Sequence, residues 1–300
     1  MINLFPEPKR LTETGGFTKA FTALCFSGAD DDRIEIAKLR FWNYPEIGIT
    51  GAYIEGALEV RVEDGLPVAE AEREELYHAQ GYALSIEADG VCIRCETRAG
   101  FIGAVTSLKM LIRETEGVFS LPLCEILDYP SLAVRAVAPT FSWYAGYGRI
   151  GFDCQLWGYD EWVEFLNISL DNKINQFNMV MYGYWPFEFE EYPETVFSNV
   201  PVKIWNAENR RWLTVRYSHP NIEEPYLGKL IALAHKLEFK IFAYVGLNSY
   251  NGAYSIKHPE ARTKPPKTGG FLNDFDSLCL SHPGTMDYIV RSMERIAELG

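Results

Sequence analysis

The chain has 300 residues, 47% of them hydrophobic, and a formal net charge of −13 at pH 7. That apolar content suffices for a sizeable core and excludes disorder as the class, and the length holds two domains or one large α/β domain. The acidic balance argues against nucleic acid and against anionic membranes, because phosphate binding needs a basic face; a neutral partner such as a sugar is compatible with it.

In chain order, residues 1–128 read as α+β. The opening MINLFPEPKRL lacks the long apolar stretch of a signal peptide. Residues 20–26 form a short apolar run that predicts a strand, and residues 30–42 fit a helix. Residues 57–62 alternate apolar and polar side chains, as a half-buried strand does. Residues 82–86 and 91–96 flank Ala88-Asp89-Gly90, a hairpin signal. Phe101, Val105, Leu108 and Ile112 then fall at helical spacing and give one apolar face. Gly117 and Pro122 close the segment, and Asp128-Tyr129-Pro130 marks a boundary.

Residues 129–300 alternate strand and helix. Residues 132–139 are an apolar run interrupted by Arg135 and predict a first strand. A helix over 160–174 follows, with Trp162, Phe165, Leu166 and Leu170 on one side and Asp160 as its N-cap. Residues 175–182 predict the second strand. After a long excursion, 223–237 predict a helix with Leu227, Leu230, Ile231 and Ala234 inward. Residues 240–246 are nearly all apolar, as expected of a parallel strand covered on both faces. A last helix over 284–299 is expected to bury Ile289, Val290, Met293, Ile296 and Ala297. Alternating βα units imply a parallel sheet. An open doubly wound sheet and a (β/α)8 barrel both fit three units. A G-x-G-x-x-G spacing stands at Gly146-Tyr147-Gly148-Arg149-Ile150-Gly151, but it ends nine residues before Asp160 and does not open that helix, which lowers the nucleotide-binding reading.

The loops after the three predicted strands are long and aromatic, and barrel enzymes carry their active sites on such loops. Sugars present apolar C–H faces that stack on rings and hydroxyls that need polar partners. On this ground Trp143, Tyr182, Trp185, Asn248 and Tyr250 are candidate substrate contacts; packing of the loops is the other reading, since aromatics fill ordinary cores too. Arg135 is costly in an apolar strand unless paired. It is either a forked donor to neighbouring sugar hydroxyls or one half of a structural ion pair. Glu188, Glu190, Glu191 and Glu194 could supply paired carboxylates for acid/base work, or form a solvated acidic loop. None of the five histidines has a metal-ligand spacing, and only His258, in Lys257-His258-Pro259-Glu260, is a candidate polar contact to sugar. Among the six cysteines, Cys92 and Cys95 are the only close pair. Three apart in a strand they point to opposite faces, a poor metal clamp, so buried free thiols are expected. The sequence calls for no metal and no cofactor. It has no apolar run of about eighteen residues that would span a membrane. A reduced, cytoplasmic protein is the expectation.

The GYALSI strand, the SLKMLI helix, Ile126-Leu127-Asp128-Tyr129-Pro130 followed by Arg135, and Lys173-Ile174-Asn175 together resemble family-20 β-N-acetylhexosaminidases. The resemblance implies a zincin-like accessory domain over residues 1–128. Residues 129–300 would be the first three βα units of a glycoside hydrolase (β/α)8 barrel, here truncated. It implies that Arg135 grips hydroxyls of the terminal sugar. It also implies retaining, substrate-assisted hydrolysis of terminal sugars, N-acetylated ones among them. In that family an Asp-Glu pair ends strand four: the Glu is the acid/base, and the Asp orients the acetamido group that attacks the anomeric carbon. By this reading the pair lies beyond Gly300 and the chain alone is inactive. The family's H-W-H segment gives way here to Asn178-Met179-Val180-Met181-Tyr182, and its proline–glycine–histidine turn to Gly246-Leu247-Asn248-Ser249-Tyr250, the pattern of a divergent relative. An α-glucuronidase-like hydrolase, a non-catalytic carbohydrate-binding protein and a packed interaction module stay open.

Overall fold

The computed structural model describes residues 2–67, 71–142, 153–246, 251, 254–263 and 277–300. The chain divides into two compact units. The first comprises Met1–Arg135, Asn167–Asn175 and Lys236–Glu238; the second comprises Ala136–Leu166, Gln176–His235 and Phe239–Gly300.

The first unit is built on a seven-stranded mixed sheet. Its strands are β1 (Arg10–Phe17), β2 (Ala23–Ser27), β3 (Gly48–Thr50), β4 (Ala57–Asp64), β5 (Tyr82–Glu87), β6 (Gly90–Cys95) and, after the small β7–β8 ribbon (Arg113–Thr115, Val118–Ser120), β9 (Pro122–Asp128). The order is β1-β9-β5-β6-β4-β2-β3, antiparallel from β1 to β6 and parallel from β6 to β3. Helices α1 (Asp31–Arg40), α2 (Glu74–Gln80) and α3 (Arg98–Leu111) complete it. The hairpin read from Ala88-Asp89-Gly90 is present, with Leu84 opposite Ile93 and Tyr82 opposite Cys95, and these four side chains are buried. The helix α3 starts where Thr97 Oγ1 accepts the Gly100 amide at 3.0 Å, an ordinary N-cap. Gly100 has a reason to be glycine: a Cβ there would lie 2.4 Å from the Gly81 carbonyl oxygen. Phe101, Val105 and Leu108, the face expected from spacing, are fully buried.

Charges run through this unit's interior. Arg40 of α1 is completely buried; it donates to the Asn167 carbonyl at 3.0 Å and side chain at 2.7 Å, to Thr106, and to Asp171. Lys109 of α3, itself buried, meets the same Asp171 at 2.6 Å. Burial lowers both cations' pKa, and Asp171 opposes it. A second group joins Lys173 to Asp128 at 2.6 Å and to the Tyr82 hydroxyl at 2.9 Å, with Ser107 at 2.6 Å from that hydroxyl.

The second unit holds a parallel sheet. Its strands are the short β10 (Ala136–Val137) and β11 (Thr140–Ser142), then β12 (Gln176–Met181) and β15 (Lys240–Val245). The pieces β10 and β11 run along one side of β12 and β15 along the other, so the strands lie in sequential order. The helix α4 (Tyr159–Asp171) follows β11, and its last turn counts with the first unit. Between β12 and β15 come the antiparallel hairpin β13 (Val200–Asn206) and β14 (Arg211–Tyr217), then α5 (Pro220–Glu223) and α6 (Leu227–Lys236). The short α7 (Tyr254–Lys257) and α8 (Pro283–Ala297) come last. Phe177, Met179 and Met181 alternate onto the face covered by α4, where Trp162 and Phe165 meet Phe177 at 5.7 and 6.1 Å between centroids.

Four expectations are corrected. The first strand is not an eight-residue run: residues 131–134 and Ala136 are exposed, and strand pairing starts only at Ala136. Asp160 is not an N-cap, because α4 begins one residue earlier; instead Glu161 reaches back to accept the Gly158 amide at 3.0 Å. The strand β15 is not covered on both faces, since Phe242 is 53% and Tyr244 59% exposed. In α8 the packed face is Thr285, Tyr288 and Ser292, while Val290 and Met293 lie exposed. Periodicity finds a stripe on a helix, but it does not say which stripe meets the rest of the protein.

Candidate functional site

The loops that leave β12 and β15 both emerge at the carboxyl ends of parallel strands, the side on which α/β sheets bind ligands. They meet there. Tyr182, the first residue after β12, is half-buried and packs edge-on against Tyr244 at 5.7 Å. Gly183 turns the chain with φ +76°, and Trp185 is then only 3% exposed, stacked on Phe187 at 5.4 Å. Of the four glutamates in this loop, Glu188, Glu190 and Glu191 are exposed, and only Glu194 is drawn inward.

Its partner is His258, from the loop after β15. The His258 Nε2 lies 3.2 Å from Glu194 Oε1, and Nδ1 lies 3.4 Å from Glu260 Oε1. The imidazole stacks on Tyr254 at 4.4 Å, and Tyr254 stacks on Tyr288 at 4.2 Å. Tyr192 crosses this stack edge-on and donates to Asp287 at 2.5 Å, while the Tyr254 hydroxyl donates to the Gly284 carbonyl at 2.7 Å. Local sequence explains the arrangement. One turn of α7 places Tyr254 and His258 four residues apart on one face, and Pro259 stops that turn. Glu260 is held below the usual carboxylate range, first by its own backbone amide, against an opposing desolvation, and with help from His258. With a carboxylate at each ring nitrogen, His258 can hold a proton at either one, and the tyrosine stack fixes the ring plane.

Of the residues proposed from sequence, Tyr182 and Trp185 stand on the loop after β12 and His258 on the loop after β15, and the two loops meet where His258 contacts Glu194. Trp143, Asn248 and Tyr250 lie outside the described residues. Arg135 belongs to the first unit, directly before β10. There it donates to the carbonyls of Lys173 at 2.7 Å and Leu132 at 2.8 Å, and to Gln80 Oε1 at 2.9 Å. Sequence reasoning passed over Tyr192, Glu194 as the one inward carboxylate, Tyr254 and Tyr288. The i, i+4 spacing of Tyr254 and His258 was the available signal; nothing local marks Glu194.

A buried histidine sits under the same sheet. His219 is fully buried, stacked on Phe141 at 5.3 Å, with Nε2 3.0 Å from the Phe141 carbonyl and Nδ1 accepting the Asn221 amide at 3.2 Å. Burial pulls its pKa down to about 4, and the Phe141 carbonyl opposes that only in part. Among the described residues no group of three or more His, Cys, Asp or Glu could hold a metal ion, and no helix is long and apolar enough to cross a membrane.

Residues 1–129 match the family model described as glycosyl hydrolase family 20, domain 2. No curated protein matches the sequence. Among solved structures the chain is similar to a GH20 exo β-N-acetylglucosaminidase from Vibrio harveyi in complex with N-acetylglucosamine (TM-score 0.73, 15% identity, 99% of this chain and 45% of that one). A mutant β-hexosaminidase from Streptomyces plicatus in complex with its product GlcNAc gives 0.70 at 17% identity, over 99% of this chain and 56% of that one. The GH20 β-N-acetylhexosaminidase from Streptomyces coelicolor gives 0.69 at 16%, over 99% and 57%. The chain thus spans about half the length of these solved relatives. These likenesses show the fold, and with the family model over residues 1–129 they agree with the resemblance read from sequence.

Proposed function

We propose that the chain is part of a glycoside hydrolase of the β-N-acetylhexosaminidase kind, acting on terminal sugars, N-acetylated ones among them. The observation that carries this reading is the fold likeness to solved family-20 enzymes along 99% of the chain. In this reading the first unit is the zincin-like accessory domain and the second is the start of a (β/α)8 barrel. Sequential parallel strands support a barrel over a doubly wound sheet, whose strand order reverses at a switch point. The retaining, substrate-assisted route needs a proton for the leaving oxygen and a fixed acetamido group. No residue of this chain is assigned as the acid. His258, pinned between Glu194 and Glu260, is the residue whose geometry suits holding or passing a proton, and Tyr182 offers a half-exposed ring to a sugar face. Trp185 enters as the packed floor of that loop, and Arg135 as the clamp of its own segment. Trp143, Asn248 and Tyr250 stay in the proposal as contacts from the same strand ends. The free thiols of all six cysteines suit a reducing, cytoplasmic setting.

Titration with N-acetylglucosamine, followed by tryptophan fluorescence and by calorimetry, tests the reading. We expect saturable binding that weakens about tenfold in His258→Ala and in Tyr182→Ala. A flat titration with N-acetylglucosamine together with a response to glucuronate would move the assignment to an α-glucuronidase-like enzyme. No response to either sugar would remove the carbohydrate reading.

A further inference from the structure

The hairpin β13–β14 takes no part in the strand-end cluster, and its chemistry differs from that of the rest of the chain. Register puts Trp205 opposite Trp212 and Lys203 opposite Thr214, on the face that also carries Arg216. The other face is apolar at its base, where Val200 and Val202 pack with Phe197, and Val215 and Tyr217 lie against them. So one side of the ribbon is spent on folding and the other is not. Both tryptophans remain about half exposed, at 49% and 45%, with ring centroids 5.5 Å apart and tilted by 60°. Within 200–217 stand Lys203, Arg210, Arg211 and Arg216 against the single acid Glu208, a net +3 inside a chain of −13. Among the described residues none of these four cations pairs with a carboxylate; Arg216 donates to the Asn199 carbonyl at 2.8 Å.

A cross-strand aromatic pair steadies a hairpin on its own. It does not account for unpaired cations gathered beside it in an acidic protein. Exposed indole faces suit the C–H faces of sugar rings, and the cations suit carboxylate or sulfate groups spaced along a chain. A polyphosphate is less well suited, because the rest of the chain repels a dense run of negative charge. A membrane fits less well too: the tip, residues 206–210, is polar, so the rings would not enter first.

We infer that the outer face of β13–β14 is an accessory binding site for an acidic oligosaccharide, with Trp205 and Trp212 stacking on sugar rings and Lys203 and Arg216 of that face, with Arg210 at the turn, meeting its carboxylates or sulfates. The choice of a glycan rests on the hydrolase reading above; the cationic aromatic face does not.

Calorimetry of the whole chain with a chondroitin sulfate hexasaccharide tests it, with chitohexaose as the neutral control. Binding of the sulfated probe is expected, weakening at least tenfold in Trp205→Ala and in the pair Lys203→Glu with Arg216→Glu, and weakening with added salt. Chitohexaose affinity should stay the same in both variants. The charge-reversed variant keeps both rings, so an unchanged near-ultraviolet dichroism of the tryptophan pair shows that its hairpin is folded. No binding of the sulfated probe by the unmodified chain overturns the inference, and so does binding that neither variant weakens. Equal or tighter binding of oligo-dT or of phosphatidylglycerol vesicles, lost in the same variants, assigns the face to another partner and also overturns it. Failure of chitohexaose alone to bind counts against the hydrolase reading and leaves this result standing.

Discussion

The two units treat buried polarity in opposite ways. In the first, the interior holds buried charges and pairs them: Arg40 and Lys109 share Asp171, and Lys173 holds Asp128 and the Tyr82 hydroxyl. In the second, buried polar groups are neutral, and many are unmatched. Of nine buried side-chain donors and acceptors with no protein partner among the described residues, eight belong to it, among them Trp185, Ser255, Thr285, Tyr288 and Ser292. The first pattern fixes geometry, because each charge is costly anywhere but beside its partner. The second leaves hydrogen-bonding capacity around the loops that carry the candidate site, where a binding surface needs it. Scaffold and site are distinguished here by how completely their interiors are satisfied.

The largest expected effect lies in the first unit. Asp171→Ala leaves Arg40 and Lys109 buried without their carboxylate, and should cost about 3–5 kcal/mol in urea unfolding followed by far-ultraviolet dichroism. Replacing Arg40, Lys109 and Asp171 together by Met, Met and Leu should cost much less, since the unpaired charge is the damage. A loss below about 1 kcal/mol in Asp171→Ala would mean that these charges are solvated and the contrast between the units is false.

Next in size is the acid response of the second unit. His219 titrates near pH 4 when folded against 6.5 for an ordinary imidazole, so the unfolded chain takes up its proton first. The stability from keeping it neutral is whole above about pH 6.5 and is lost as pH falls through 4, in total on the order of 3 kcal/mol. Unfolding measured at half-unit steps from pH 7 to 4 should show this slope, and His219→Gln should flatten it. An unchanged slope in the variant would place the acid sensitivity elsewhere.

How much of this could be read from residues alone follows the same division. Periodic apolar spacing located α3, α4, the β5–β6 hairpin and β12, because each packs one regular face. It failed for β1, whose sequence RLTETGGF is exposed almost throughout and offers no alternation. It failed for β9 because Pro122 looked like punctuation, although Pro is tolerated as the first residue of a strand. The hairpin β13–β14 alternates well, yet it lies inside the stretch that the periodic reading treats only as a long excursion. The apolar run of β15 reads as doubly covered, yet Phe242 and Tyr244 are exposed; composition gives a strand's hydrophobicity and not what covers it. At the site, His258 and Tyr182 stood out as residue types in suitable loops. The pairing of His258 with Glu194 spans 64 residues and depends on two loops closing on each other, which no local pattern encodes.

The smallest effect is the most direct comparison, because it makes one change in both units. Removing the hydroxyl of Tyr82 takes a buried group from Ser107, Asp128 and Lys173, two of them charged. Tyr82→Phe should therefore cost about 1–3 kcal/mol. The hydroxyl of Tyr288 is as deeply buried but meets no partner at full hydrogen-bond geometry; burial raises its pKa, and weak hydrogen bonding to the neighbouring Ser292 and Trp185 side chains lowers it in part. Tyr288→Phe keeps the stack on Tyr254 and removes only an unmatched group, so its stability should stay within about 1 kcal/mol of the starting chain or rise. N-acetylglucosamine affinity should be unchanged in Tyr82→Phe and altered in Tyr288→Phe, because only Tyr288 belongs to the aromatic stack beneath His258. Equal losses of stability in the two variants would show that Tyr288 is satisfied after all, and the distinction between a closed scaffold and an open site would fall with it.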